Sequence, residues 1–279
     1  MHGKSCNDPH EILDVILDRV IEKTSNPLWK QFLLSFLAGA FVAFVSAGSN
    51  MAAFGLLADS RTYGLGKLVA GLIFPTGLML VLFAGGELFT GNSLIAVGVF
   101  EKKIRLTAML KNWGIVYIGN LIGSLFLVFL IIESGQLESG DYLLGGMTVK
   151  IAYNKISLHF KQAVVLGLLC NWLVCLTIWL CCAAKNLIGK LFAAFFPICL
   201  CMTSGFEHGV ANMYYIPAGI IAKSFEPYAA ASGISAGALA QLNWKSLFIH
   251  NLIPVTIGNI IGGVVFVALI YTVCYRKRA

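Results

Sequence analysis

KNWGIVYIGNLIGSLFLVFLI at residues 111–131 and HNLIPVTIGNIIGGVVFVALI at residues 250–270 align without a gap and share ten of 21 residues. Shared apolar composition does not account for that agreement. Its centre is Gly119-Asn120-Leu121-Ile122-Gly123 set against Gly258-Asn259-Ile260-Ile261-Gly262. Each segment is about 20 apolar residues long, the length that crosses the hydrocarbon of a bilayer as a helix. One membrane span therefore repeats another, and the chain is read as two copies of one unit.

Composition agrees with a membrane setting. Of 279 residues, 58% are hydrophobic and 12% charged, with a mean hydropathy of +0.82, which puts the chain outside the soluble class. Barrel-type alternation is absent, so the spans are helices. The net charge of +7 does not indicate nucleic acid, because the 20 basic residues are spread over every loop instead of forming one face.

Six spans follow from the charge-free runs. Residues 1–30 hold an amphipathic helix with Leu13, Ile16, Leu17, Val20 and Ile21 on one side, assigned to the membrane surface or a neighbouring subunit. No cleavable signal peptide is read there, since acids and bases alternate through it. Residues 31–279 form a single transmembrane domain. Span one covers 31–58, span three 112–132, span four 162–184 and span six 246–275. Spans two and five are interrupted, at Glu87-Leu88-Phe89-Thr90-Gly91-Asn92 and at Gly205-Phe206-Glu207-His208-Gly209. The longest connection, to about Lys161, is read as a loop carrying Lys155 and His159.

The repeats run over about 31–132 and 162–275, with Glu87 corresponding to Glu207. Three spans is an odd number, so the second unit enters the membrane from the opposite face. The expected fold is an all-α membrane protein with two inverted three-helix repeats. Paired broken helices at matching places form a midplane site in such proteins. A charged side chain in hydrocarbon costs about 2.5–3.5 kcal/mol on insertion scales, so Glu87, Glu207 and His208 should face protein or a wet cavity. Glu87 and Glu207 are assigned a structural role at the breaks, accepting backbone amides freed there.

The N-terminus, the connections 101–111 and 185–190 and the C-terminus carry thirteen basic residues, against seven on the other loops. Both termini are accordingly placed in the cytoplasm. Seven of the eight cysteines lie in or beside apolar runs without CxxC spacing and are read as small buried hydrophobes. An intramembrane enzyme is a competing class, because Glu207 and His208 are adjacent. HExxH is absent, however, and no nucleophile triad or paired aspartates are present. The reading therefore includes no enzyme, no metal and no cofactor.

Four motifs carry a resemblance that covers the chain from about residue 10. They are Phe83-Ala84-Gly85-Gly86-Glu87-Leu88-Phe89-Thr90-Gly91-Asn92, Cys170-Asn171-Trp172-Leu173-Val174-Cys175, Ser204-Gly205-Phe206-Glu207-His208 with Ala211-Asn212-Met213, and Asn251-Leu252-Ile253-Pro254-Val255-Thr256-Ile257-Gly258-Asn259. Together and in this order they resemble the formate/nitrite transporter family. The resemblance implies an aquaporin-like protomer in a homopentamer, each protomer with its own pore for small monovalent anions such as formate, nitrite or hydrosulfide, in the inner membrane of a prokaryote. By position, Thr90 is similar to the threonine of the mobile loop in span two and His208 to the central pore histidine. Lys155 resembles the basic residue that draws anions into the outer vestibule. Asn171 and Asn259 match polar groups near the pore centre, and Phe74, Leu78, Leu88 and Phe89 match apolar constriction residues. Cys201 stands where several members have phenylalanine, so the inner constriction departs from the family. The pattern looks closest to the hydrosulfide channels of the family.

The expected mechanism is a channel, pH-sensitive through His208, in which apolar rings exclude water and His208 with Thr90 supplies donors. The loop 87–92 is its candidate gate. A proton-coupled formate or nitrite transporter is the alternative. A neutral-solute channel is a third reading, which would expect no basic residue at the mouth.

Overall fold

In the computed structural model, which describes Lys4 and residues 6–276, the chain is helical throughout apart from short connections. Lys277 and Arg278, counted above among the cytoplasmic basic residues, lie outside the described residues. A helix Pro9–Ser25 (α1) precedes the membrane region. Five helices are long and apolar enough to cross a membrane: Leu28–Ala58 (α2), Tyr63–Gly85 (α3), Leu106–Glu133, Phe160–Ala183 and Trp244–Tyr275. The sixth crossing is made in two pieces, Leu187–Thr203 and Gly209–Ala222. In chain order, Gly91–Phe100 is α4, Leu106–Glu133 is α5, a helix Leu143–Ile156 is α6, Phe160–Ala183 is α7, and the two pieces are α8 and α9. Short helices Glu226–Ala231 (α10) and Ala236–Gln241 (α11) lead into Trp244–Tyr275 (α12).

Two segments differ from the sequence reading. Residues 143–156, expected in a loop, form α6, whose Leu144, Met147, Val149, Ala152 and Ile156 are buried. Lys150, Lys155 and His159 obscured that apolar face in the sequence. The apolar face of the amphipathic α1 is taken up by the chain itself. Its Ile12, Leu13, Ile16 and Val20 join Leu94, Ile95, Ala96 and Val97 of α4 in one core of the same chain.

The repeat is visible in the packing. A Cβ at Gly123 of α5 would collide with the Phe36 carbonyl of α2, and one at Gly262 of α12 with the Leu168 carbonyl of α7. Phe36 and Leu168 are related by the same shift of 132 residues as Phe32 and Val164, which meet Gly119 and Gly258. Each half is thus built on one pair of helices whose backbones touch, as small residues permit in membranes.

Both breaks begin at a glycine with positive φ, Gly85 at 98° and Gly205 at 74°, a conformation that a side chain disfavours. Beyond them the amides of Glu87, Phe89, Glu207 and Gly209 take their partners from other helices. Asn120 in α5 serves the first break: its Oδ1 accepts from Phe89 N–H at 2.9 Å, and its Nδ2 donates to the carbonyls of Glu87 (2.9 Å) and Ser35 (2.8 Å). Asn259 in α12 does the same at the second, accepting from Gly209 N–H at 2.9 Å and donating to Glu207 (3.0 Å) and Gly167 (2.7 Å). The amides of Glu87 and Glu207 are in turn bonded to the carbonyls of Leu34 and Leu166. Each asparagine therefore satisfies three backbone groups in a dry interior, where an unpaired polar group costs about 1–3 kcal/mol. Replacing Asn259 with alanine should remove at least about 3 kcal/mol. At about 2–4 °C per kcal/mol for a chain of this size, the unfolding midpoint in detergent should fall by about 6–12 °C. Asn120→Ala should behave alike, and an unchanged midpoint in either would refute the assignment.

Candidate functional site

Two buried carboxylates flank the centre, each held by a lysine and a chain of amides. Glu87 Oε2 accepts from Lys23 Nζ at 3.0 Å and from Asn92 Nδ2 at 2.7 Å. Asn92 also donates to Asn112 Oδ1, and Asn112 donates to Gln31 Oε1. In the second half Glu207 takes Lys155 Nζ at 2.8 and 3.0 Å and Asn212 Nδ2 at 2.6 Å, while Asn212 donates to Asn251 and Asn251 to the Lys155 carbonyl. The carboxylates thus receive lysine and asparagine side chains in place of the backbone amides expected from the sequence. Lys23 and Lys155 are related by the same 132-residue shift as the helix contacts. Sequence reading singled out Lys155 and missed Lys23.

Lys155 lies in the last turn of α6, not in an exposed loop, and its side chain is 16% exposed. Its ammonium stands 5.2 Å from the centre of the Tyr215 ring, within cation–π reach. It borders a vestibule of about 990 Å³. Lys67 borders the same space, as do Asn50 and Thr203. Among the described residues, Asn50 Nδ2 and Thr203 Oγ1 are buried without a protein partner, so the vestibule wall keeps polar capacity for water or a solute.

Behind this vestibule is a much smaller chamber, of about 20 Å³, lined by Phe74, Leu78, Leu88, Cys201 and His208 together with Val42, Cys170, Val174, Ile198 and Met202. That volume holds about one water. Met202 borders both spaces. Three of the four apolar residues expected at a constriction are therefore on the wall. Phe89 is turned elsewhere, edge-on to Tyr117 and Trp113 with ring centres 4.9 and 5.9 Å away.

His208 is the polar point of the chamber. It caps the N-terminus of α9: its Nδ1 accepts from Ala211 N–H at 3.1 Å. With Nδ1 accepting, the ring proton sits on Nε2, which donates to Thr90 Oγ1 at 2.8 Å. The imidazole is therefore held neutral by geometry, since a second ring proton would point at the Ala211 amide. The Thr90 hydroxyl retains its own proton to offer. Thr90 is fixed through its carbonyl, which accepts from Asn171 Nδ2 at 3.2 Å, and Asn171 also donates to Ser93 Oγ and to the Asn259 carbonyl. Neither Asn171 nor Asn259 borders the chamber, and their amides are committed to other protein groups. No three His, Cys, Asp or Glu side chains converge on a metal-sized position among the described residues.

The geometry has known counterparts. Residues 10–273 match the family model described as formate/nitrite transporter. The chain is 39% identical to a probable formate transporter of Methanothermobacter thermautotrophicus, over 92% of each chain. It is 37% identical to the formate channel FocA of Escherichia coli K12, covering 93% of this chain and 90% of that one. Among solved structures, a pentameric formate channel with formate bound superposes with a TM-score of 0.82 at 39% identity, covering 90% of this chain and 98% of that one. A second, an FNT family ion channel, superposes with a TM-score of 0.79 at 27% identity, covering 94% and 98%. Three of these four carry formate in their names, and nothing in the comparisons singles out a hydrosulfide channel. The chain is thus a membrane channel or transporter protein and not an enzyme, and it belongs to the formate/nitrite transporter family.

Proposed function

We propose that each protomer conducts formate through its own pore, with the chamber at His208 and Thr90 as the selective point, in a homopentamer. One observation carries the reading: a neutral histidine, hydrogen-bonded from behind by the Thr90 hydroxyl, is the polar group on the wall of a small apolar chamber, and the two halves each carry a buried lysine–glutamate pair. Lys155 on one side and Lys23 on the other raise the local anion concentration, an effect that salt screens. The apolar ring of Phe74, Leu78 and Leu88 admits no hydration shell, so the ion must exchange water for protein donors. Thr90 O–H, oriented by His208 Nε2–H, is the donor available there. Glu87 and Glu207 neutralise their lysines in part and hold Asn92 and Asn212, a structural role at the breaks. Asn171 and Asn259 serve the pore by fixing Thr90 and the second break.

The neutral form of His208 gives the pH dependence a direction. Protonation removes the Ala211 bond and places a cation at a helix N-terminus, which is unfavourable. Acidification therefore loosens the gate formed by the loop 87–92 and α9. Hydrosulfide is a second reading, favoured by the two thiols of Cys170 and Cys201 on the chamber wall. Nitrite fits the same size and charge. The positive-inside pattern supports both termini in the cytoplasm and Lys155 on the outer face, and the relatives from Methanothermobacter thermautotrophicus and Escherichia coli support the inner membrane of a prokaryote.

In proteoliposomes, His208→Ala should lower formate flux by about tenfold, the effect of one lost donor worth about 1.4 kcal/mol, and should flatten its pH profile. Unchanged flux with an unchanged profile would remove His208 from the mechanism. Lys155→Gln should reduce flux several-fold at low ionic strength and much less at about 0.5 M salt. Pairing it with Glu207→Gln tests whether the loss is one of charge or of folding: restored protein yield with flux still low assigns the lysine to anion capture. A panel comparing formate, nitrite and hydrosulfide with a neutral solute ranks the substrates, and faster neutral-solute flux would overturn the anion reading.

A further inference from the structure

Cys170 in α7 and Cys201 in α8 are free thiols on different helices, each about 1% exposed, and their sulfurs are 3.1 Å apart. Both line the chamber that holds His208. We propose that this pair is a thiol–disulfide gate: hydrogen peroxide arriving through the Lys155 vestibule oxidises Cys170 and Cys201 to a disulfide that ties α7 to α8 and keeps the chamber shut. The inference rests on the formate reading for its effect on transport, but not for its chemistry.

The step balances with peroxide as the oxidant. One thiol gives up its proton, the thiolate attacks an oxygen of hydrogen peroxide, the O–O bond breaks, and a sulfenic acid forms while the departing hydroxide takes up the released proton as one water. The second sulfur attacks the sulfenic sulfur, its proton leaves with the hydroxyl as a second water, and the disulfide closes. Two thiols are oxidised, one peroxide is reduced, and no other reactant is needed. Apolar side chains surround the pair, so peroxide reaches it slowly. The second thiol is already in contact, which sends the sulfenic acid to the disulfide ahead of further oxidation. Peroxide is neutral and nearly as small as water, and the boundary at Met202 is shared by vestibule and chamber.

The effect on conduction follows from the walls. The chamber has room for about one water, so an anion passes only when a wall moves. Ile198, Cys201 and Met202 make α8 one of those walls. On its other side Phe192, Phe196 and Leu200 are 59%, 63% and 55% exposed, so the rest of the chain does not hold α8 from behind. A covalent bond from Cys201 to α7 removes that freedom, and it also replaces two weak S–H donors on the wall with an apolar disulfide.

The test uses the full chain in proteoliposomes treated with hydrogen peroxide and then with dithiothreitol. Peptide mass mapping should find a Cys170–Cys201 linkage with loss of two hydrogens. Formate flux should fall about tenfold on oxidation and recover on reduction. Cys170→Ala and Cys201→Ala, each compared with its own reduced state, should show no peroxide response. Absence of the linkage, a linkage with unchanged flux, or a peroxide response that survives in Cys201→Ala would each overturn the gate. The linkage is read by mass, so it is decided even in a protein that carries no formate, a result that would count against the formate reading alone.

Discussion

Everything in this molecule depends on satisfying the backbone of two helices that stop in mid-membrane. Hydrocarbon offers no water to an unpaired amide, so a broken helix survives there only if protein groups replace the missing bonds. Asn120 and Asn259 do so, each accepting one bond from a break, donating one to it, and donating a second to the backbone of α2 or α7. They can reach because Gly119, Gly123, Gly258 and Gly262 let α5 and α12 lie against the backbones of α2 and α7. Glycine and asparagine in the repeated Gly-Asn-Leu/Ile-Ile-Gly sequence thus act together: one allows the approach, the other uses it.

The ion pairs are a second layer on that frame. A carboxylate placed in a protein interior is costly, and attraction to a lysine offsets the cost only where further hydrogen bonds satisfy its oxygens. Glu87 and Glu207 meet that condition through Asn92 and Asn212. Each lysine is then partly neutralised, which suits capture of an anion that must also leave. A bare ammonium in the same place would bind more strongly and release more slowly.

Much of the frame was legible because it is written in long segments. The apolar runs gave the spans, and the match of residues 111–131 with 250–270 gave the repeat. Lys23 was not legible as the mate of Lys155. The helices α2 and α7 are offset by 132 residues, the breaks by 120 and α5 and α12 by 139, so no single ungapped alignment carries all three. Residues 143–156 were misread because their buried side is only one face of a helix whose other face is charged. Asn259 was placed near a pore by the family resemblance, whereas its bonds reveal a backbone partner that residue type alone does not indicate. His208 and Thr90 stood out because polar side chains beside glycine-rich breaks have few other uses in a membrane, and the family resemblance added the pairing.

The frame is symmetric and the chamber is not. A shift of 120 residues carries Gly85 to Gly205, Glu87 to Glu207 and Asn92 to Asn212, and the same shift carries Leu88 to His208 and Thr90 to Val210. Leu88 and His208 therefore occupy equivalent places and both line the chamber. Two histidines facing each other would give the passing anion two donors and a deep well. Leucine in the place equivalent to histidine leaves one polar and one apolar wall, so in the proposed pore a passing anion would meet a single hydrogen-bonded pair. Repetition supplies two breaks and two lysine–glutamate pairs, and divergence at positions 88 and 90 against 208 and 210 leaves the centre with a single histidine.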